Sequence, residues 1–92
     1  MILSGQKAVA AAGTAVALGD QVINGPLLVK AFNGNGGMIY IGNDSAGDVT
    51  SANGLELDAS EEVYFNFVGN LSEIILDTSN NGDKVAWLAL NV

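Results

Sequence analysis

Short apolar runs alternate with glycine- and asparagine-rich clusters along the whole chain. Twelve glycines help to divide the 92 residues into apolar runs of four to eight residues. Five Asn-Gly pairs fall between these runs, and they begin at Asn24, Asn33, Asn35, Asn53 and Asn81. Asn-Gly is the preferred pair of tight hairpin turns because both residues tolerate a positive φ. The pattern therefore predicts many short strands joined by tight turns.

The predicted strands are short and cover about half of the chain. They cover residues 7–11, 14–18, 26–32, 38–42, 49–50, 55–57, 62–68, 72–77 and 84–92. Residues 33–37 are predicted to form a turn that joins 26–32 to 38–42 as a hairpin. About eight short antiparallel strands in a chain of this length predict an all-β fold. The expected architecture is a compact antiparallel β-sandwich or a small barrel, jelly-roll-like in form.

The last predicted strand, residues 84–92, is apolar on one of its two sides. The wholly apolar set of alternate positions consists of Ala86, Leu88, Leu90 and Val92. We expect this set to face the core, because a strand buries alternate side chains on one face. Trp87 then points the other way, to a half-exposed or intersubunit position where its N–H can find a partner.

One domain is expected, because 92 residues leave no room for a second core. Residues 1–13 have weak periodicity and are interpreted as an N-terminal arm or an edge strand. Residues 14–92 are interpreted as a single β-sandwich domain. The N-terminus lacks the pattern of a signal peptide, and the apolar run 8–18 is too short to span a bilayer. We therefore expect a soluble protein.

Charge divides the chain into two unequal halves. Residues 1–43 carry a formal charge of +1, whereas residues 44–92 hold nine of the ten acidic residues and carry −8. Charged residues make up only 14% of the chain, against about 25% in a typical soluble domain. A free monomer with so few charged residues would have an unusually apolar surface. We therefore expect the chain to be a subunit of an oligomer. The net charge of −7 argues against binding to nucleic acid or to an anionic membrane.

Enzymatic activity is not expected from the residue types present. The chain contains no histidine and no cysteine, which excludes disulfides, thiolate–imidazole zinc sites and most activated nucleophiles. A Ser–Lys pair would remain, but the three lysines, Lys7, Lys30 and Lys84, are scattered. Glu61 and Glu62 form the one adjacent acidic pair, which we interpret as the solvated end of a hairpin. No cofactor is predicted.

Two acidic turns could bind calcium. Asp77 to Gly82 fits the opening of an EF-hand loop, but Leu88 stands where the bidentate glutamate belongs and the flanks are strands. A looser calcium site with Asp77 and Asp83 stays open, as does one with Asp44 and Asp48. The alternative for both is a polar turn. Tyr40, Tyr64 and Trp87 could likewise form a sugar-binding platform, although packing or a subunit interface is the favoured role.

Four segments of the chain carry a resemblance to a known class of proteins. They are GPLLVKA at 25–31, GMIYIGN at 37–43, VTSANGLEL at 49–57 and VAWLAL at 85–90. Together they resemble small proteins encoded in the structural region of tailed-bacteriophage genomes, often near capsid genes. The resemblance implies a non-enzymatic virion structural protein of the capsid decoration (cement) type, made in the host cytoplasm and located on the capsid surface. It also implies a homotrimer whose partner is the major capsid protein. A tail- or fibre-associated receptor- or glycan-binding module is the alternative.

The contact surface is expected in the charge-poor half of the chain, at residues 1–18 and 27–32. The expected interface residues are Leu3, Val9, Val16, Leu18, Leu28, Phe32 and Trp87. The acidic positions Asp44, Asp48, Glu61 and Glu62 are expected to face solvent.

Overall fold

The computed structural model describes all 92 residues and confirms the all-β fold class. Its eight strands are β1 (Leu3–Ala8), β2 (Val16–Ala17), β3 (Leu27–Ala31), β4 (Ile39–Gly42), β5 (Leu55–Leu57), β6 (Glu62–Phe65), β7 (Ile75–Thr78) and β8 (Lys84–Ala89). One 3₁₀ turn, Leu71–Glu73, precedes β7. No helix has the length and hydrophobicity needed to cross a membrane.

The strands form two antiparallel sheets of four strands each. The first sheet has the order β1-β8-β3-β6 and the second has the order β2-β7-β4-β5. The sheets do not close on each other, so of the two predicted architectures the chain forms the sandwich. Only β4 and β5 follow each other within one sheet, and every other connection crosses between the sheets. Apart from β4 and β5, each sheet is therefore built from strands that are distant in the sequence.

The predicted hairpin of residues 26–32 with 38–42 is wrong. β3 pairs with β6 and β8, whereas β4 pairs with β5 and β7. The turn between them does form, with the Asn35 N–H donating to the Phe32 carbonyl at 3.2 Å. However, the Asp83 carboxylate accepts hydrogen bonds from the N–H groups of Gly36 and Gly37. These bonds hold the turn against the start of β8, so that the chain passes from the first sheet to the second.

The core lies between the two sheets. It contains a cluster of fourteen buried residues: Val9, Leu18, Ile23, Leu27, Val29, Ala31, Ile39, Ile41, Leu57, Leu71, Ile74, Leu76, Val85 and Ala89. Val85 and Ala89 of β8 belong to this cluster, whereas Ala86 and Leu88 are only half-buried and Leu90 is exposed. The predicted facing of the last strand is therefore reversed. Both sides of β8 are largely apolar, so alternation alone could not select the buried one.

Several other boundaries differ from the predicted ones. β1 begins at Leu3 rather than at residue 7, and it pairs with β8 over six residues as the edge strand of the first sheet. Residues 49–50 form no strand. Residues 71–73 turn instead of extending, because the Asn70 side chain accepts the Ser72 N–H while Glu73 bonds back to the Asn70 N–H. This reciprocal capping box is a common helix start.

The outer face of the second sheet is covered by the chain's own loops. Val49, in the loop 43–54, is only 1% exposed. Its Cγ2 atom lies 3.6 Å from where a Cβ of Gly42 would be, so it packs on the outer side of β4. The loop 9–15 reaches the same sheet, where the Gly13 N–H donates to Asp77 Oδ1 at 2.9 Å. The second sheet is thus packed on both sides.

Candidate docking surface

The outer face of the first sheet, in contrast, keeps all of its side chains at least partly exposed. Leu27, Val29 and Ala31 of β3 are fully buried, so the side chains between them point away from the core. We call this outward set the open face. It consists of Ser4, Gln6, Ala8, Leu28, Lys30, Glu62, Tyr64, Lys84, Ala86 and Leu88, together with Phe32 and Leu90, which continue β3 and β8.

Strand register arranges the centre of the open face in two rows. The first row crosses the four strands through Ser4, Leu88, Leu28 and Tyr64. The second row, two residues along, runs through Gln6, Ala86, Lys30 and Glu62. Leu28 and Leu88 stand directly opposite each other on the two central strands, and Tyr64 at the edge is 54% exposed. The first row is therefore apolar at its centre.

Two adjoining hollows follow the central strands of the open face. The larger, about 290 Å³, is lined by Lys30, Ala31, Phe32, Asn33, Ser60 and Ala86. The smaller, about 180 Å³, is lined by Leu28, Lys30, Ala86, Trp87 and Leu88. Lys30 and Ala86 border both hollows, so together they form one shallow groove with an ammonium group near its middle. Such a groove fits protruding side chains of a partner better than a deeply enclosed ligand.

The open face is cationic on an acidic molecule. Lys30 and Lys84 lie on it and Glu62 is its one carboxylate, a formal +1, which leaves −8 for the rest of the chain. Lys84 Nζ sits 4.4 Å from the centre of the Phe32 ring, a cation–π contact that holds this ammonium at the surface. The face therefore complements an apolar surface that carries acidic side chains.

The structure divides the predicted interface residues among three environments. Leu28 and Phe32 lie on the open face. Val16 and Trp87 are half-buried and pack against the core cluster, and Leu3 is half-buried on the inner side of the edge strand β1. Only the first two stand on the broad uncovered surface.

Val9 and Leu18, the remaining two, are core residues. Their side chains are 0% and 3% exposed, so the chain's own packing covers them. Leu88 and Ala86 do lie on the open face. They were expected in the core, because the sequence predicted that the other side of β8 would face outwards. The signal that could have found them is the presence of apolar residues on both sides of residues 84–92.

The three aromatic residues of the proposed sugar platform lie on different surfaces. Tyr64 is on the open face, whereas Tyr40 is on the outer side of the second sheet, where the Gly54 backbone approaches its Cβ. Trp87 lies on the inner side of β8 and covers Gly5 of β1, because a Cβ at Gly5 would stand 2.6 Å from the indole ring. The fold does not bring these rings together.

The Asp83 carboxylate is a structural hydrogen-bond acceptor. It is 5% exposed, and it accepts the N–H groups of Gly36 at 3.1 Å and Gly37 at 2.8 Å and the Asn80 amide at 2.9 Å. Burial alone would raise the pKa of Asp83, but the donors from Asn80, Gly36, Gly37 and Thr78 outweigh it and hold the pKa below its ordinary value. These donors occupy the oxygens that a cation would need.

The other acidic turns are also closed by internal hydrogen bonds. Asp77 Oδ1 accepts the Gly13 and Thr78 N–H groups. Asp44 Oδ1 accepts the Ala46 and Asp48 N–H groups, which lower the pKa of Asp44. No group of three or more carboxylates converges in a way that could hold a metal ion. The acidic segments therefore act as hydrogen-bonded turns.

The fold and this surface define a small β-sandwich with one covered and one uncovered outer face. No protein-family model, no curated protein and no solved structure matches the chain.

Proposed function

We propose that this chain is a non-enzymatic structural protein of a tailed-bacteriophage virion. In this proposal it is a decoration protein that docks through its open face on the outside of the assembled capsid and stabilises the shell. The observation that carries the docking step is the contrast between the two outer faces. On the outer side of the second sheet, Val49 of the loop 43–54 is buried against β4, whereas Leu28 and Leu88 on the outer side of the first sheet stay partly exposed.

The size of the open side suits a stable contact. The two longer dimensions of the molecule are 33 and 28 Å, which is the scale of a standard interface that buries about 800 Å² per partner. Burying apolar surface contributes about 25 cal/mol per Å² before the costs of association. Docking on this side would therefore bury further apolar surface and add to the limited stability that the core of a 92-residue domain provides.

Charge supports the same orientation. The +1 of the open face would meet an acidic, apolar patch on the major capsid protein, while the remaining −8 stays hydrated on the outside of the particle. A protein that binds only the assembled shell stabilises it by mass action. We expect the bound form to be a homotrimer.

Mass spectrometry of purified virions tests this function. A decoration protein should be present in hundreds of copies per particle, and added protein should bind saturably to empty expanded capsids. A handful of copies would favour the tail- or fibre-associated module instead. Absence from the particle would contradict both virion roles.

A further inference from the structure

The first sheet ends in two unprotected edges. On β1, residues 3, 5 and 7 bond to β8, because the same register continues to Val9, whose N–H donates to the Asp83 carbonyl at 2.9 Å. The backbone N–H and C=O groups of Ser4, Gln6 and Ala8 therefore point away from the sheet. β1 contains no proline, and Lys7 is its one charged residue, so little protects this edge from pairing with another strand.

The opposite edge, β6, has the same construction. The Ala31 N–H of β3 donates to the Glu61 carbonyl at 2.9 Å, and the β3–β6 register continues from there to Phe65. Glu62 and Tyr64 therefore direct their backbone groups outwards. Each neighbouring pair in the order β1-β8-β3-β6 is antiparallel, so β1 and β6 run in opposite directions. The β6 strand of a second copy can thus add to β1 as an ordinary antiparallel neighbour.

The strand register places opposite charges, Lys7 on β1 and Glu61 before β6, at equivalent positions along the two edge strands. Lys7 on β1 is level with Val85 and Ala31, and Ala31 bonds to Glu61 at the other edge. A second copy displaced sideways by one sheet width would set its Glu61 opposite Lys7 and its Tyr64 opposite Ser4. Opposite charges that face each other across strands stabilise their pairing. Pairing β1 with β1, or β6 with β6, would leave both lysines or both glutamates without such a partner.

We propose that copies of this chain join head to tail, with β1 of one copy pairing antiparallel with β6 of the next. The first sheet, and with it the open face, then continues across the subunits. Such a contact is heterologous and closes into a ring when the rotation between copies allows it. The pairing shares with the proposed function only the expectation that the chain forms an oligomer. It can be tested without a capsid.

Proline variants at the two edges test the pairing by sedimentation velocity on the full chain. Gln6→Pro and Tyr64→Pro each remove one outward N–H without taking a bond from β8 or β3. We expect the wild-type chain to be oligomeric, each proline variant to be monomeric, and Gln6→Ala and Tyr64→Ala, which keep the N–H, to remain oligomeric. An equimolar mixture of the two proline variants should form one-to-one dimers and nothing larger, since one intact β1 meets one intact β6.

Three results would overturn the proposal. The first is a wild-type chain that is monomeric at every concentration. The second is loss of association in Gln6→Pro but not in Tyr64→Pro, which is the signature of twofold β1–β1 pairing. The third is a mixture that forms no dimers although both variants keep the near-ultraviolet circular dichroism of Trp87.

Charge variants provide a test that does not require proline. Lys7→Glu should weaken self-association at least about tenfold, whereas Lys84→Glu, on the open face in the inner strand β8, should change it less than about twofold. High salt should weaken the wild-type oligomer in the same direction. Equal effects of the two variants would contradict the edge pairing. If the wild-type chain is monomeric in solution but binds capsids, only the edge pairing is overturned. If it is oligomeric but binds no capsids, only the docking proposal is overturned.

Discussion

At the scale of single residues, Gly5 and Trp87 set the packing of the edge strand. The indole ring lies where a side chain at Gly5 would be, with the nearest ring atom 2.6 Å from a Cβ at that position. Glycine is therefore required here for space rather than for backbone conformation. The contact also explains why Trp87 is half-buried: its ring covers the inner side of β1 next to the core.

Gly5→Ala should lower the free energy of unfolding by about 1–3 kcal/mol, because the ring must move to admit the methyl group. Urea unfolding followed by Trp87 fluorescence measures the loss and should also show a shifted native emission. Gly34→Ala is the matched control, since no atom lies within 4 Å of a Cβ there and its φ is not positive. Equal stability of the two variants would contradict the contact.

Asp83→Asn should destabilise the chain by about 2 kcal/mol, because the N–H groups of Gly36 and Gly37 lose a charged acceptor. The folded state lowers the pKa of Asp83 below its ordinary value of 3.8. Its contribution is therefore present above that value and is lost as the pH falls below it through the folded pKa.

Chemical unfolding at several pH values checks this dependence. The wild-type chain should lose stability from about pH 4 downwards, and Asp83→Asn should have a flatter acid limb. Glu56→Gln, on the exposed outer side of β5, should leave the curve unchanged. An unchanged acid limb in Asp83→Asn would show that this carboxylate does not support the turn.

The sequence reveals Asp83 as a turn residue but not as the anchor of another turn. Its donors at Gly36 and Gly37 are 47 and 46 residues away, and no local pattern reports a contact at that distance. The Asn-Gly pairs, by contrast, are local signals of the connections between strands, although among their residues only Gly82 has a positive φ.

At the scale of elements, the loop 43–54 acts as the cover of the second sheet. Val49→Ala should cost about 2 kcal/mol of stability through lost burial and a residual cavity beside Gly42. It should also increase the binding of a hydrophobic dye. Val22→Ala is the control, because that side chain is largely exposed, and the two variants can be compared by thermal unfolding. An equal change in both would mean that the loop does not pack as described.

The pattern of short apolar runs located most strands but not their partners. Residues 55–57 match β5, and residues 84–92 contain β8. Pairing could not be predicted, because a turn signal such as that at 33–37 is the same whether the next strand joins the same sheet or the opposite one. The facing of β8 could not be predicted either, since Leu88 and Val85 are equally suited to a core.

At the scale of the whole molecule, the two outer faces are unequal in cover and in charge. Val49 and the loop 43–54 pack on the outer side of the second sheet. The outer side of the first sheet instead has an exposed groove between Leu28 and Phe32, with Lys30 at its centre. The all-β class followed from composition and spacing. The location of the docking surface did not, because it depends on which loops fold back over which sheet.

Co-sedimentation with empty expanded capsids tests the role of the open face most directly. Leu88→Asp puts a charge at the centre of the open face, and Leu55→Asp is the matched control, because Leu55 is 56% exposed on β5 of the second sheet. Leu88→Asp should weaken capsid binding at least about tenfold, while Leu55→Asp stays within about twofold of the wild-type chain. Wild-type affinity in Leu88→Asp, or an equal loss in both variants, would contradict docking through this face.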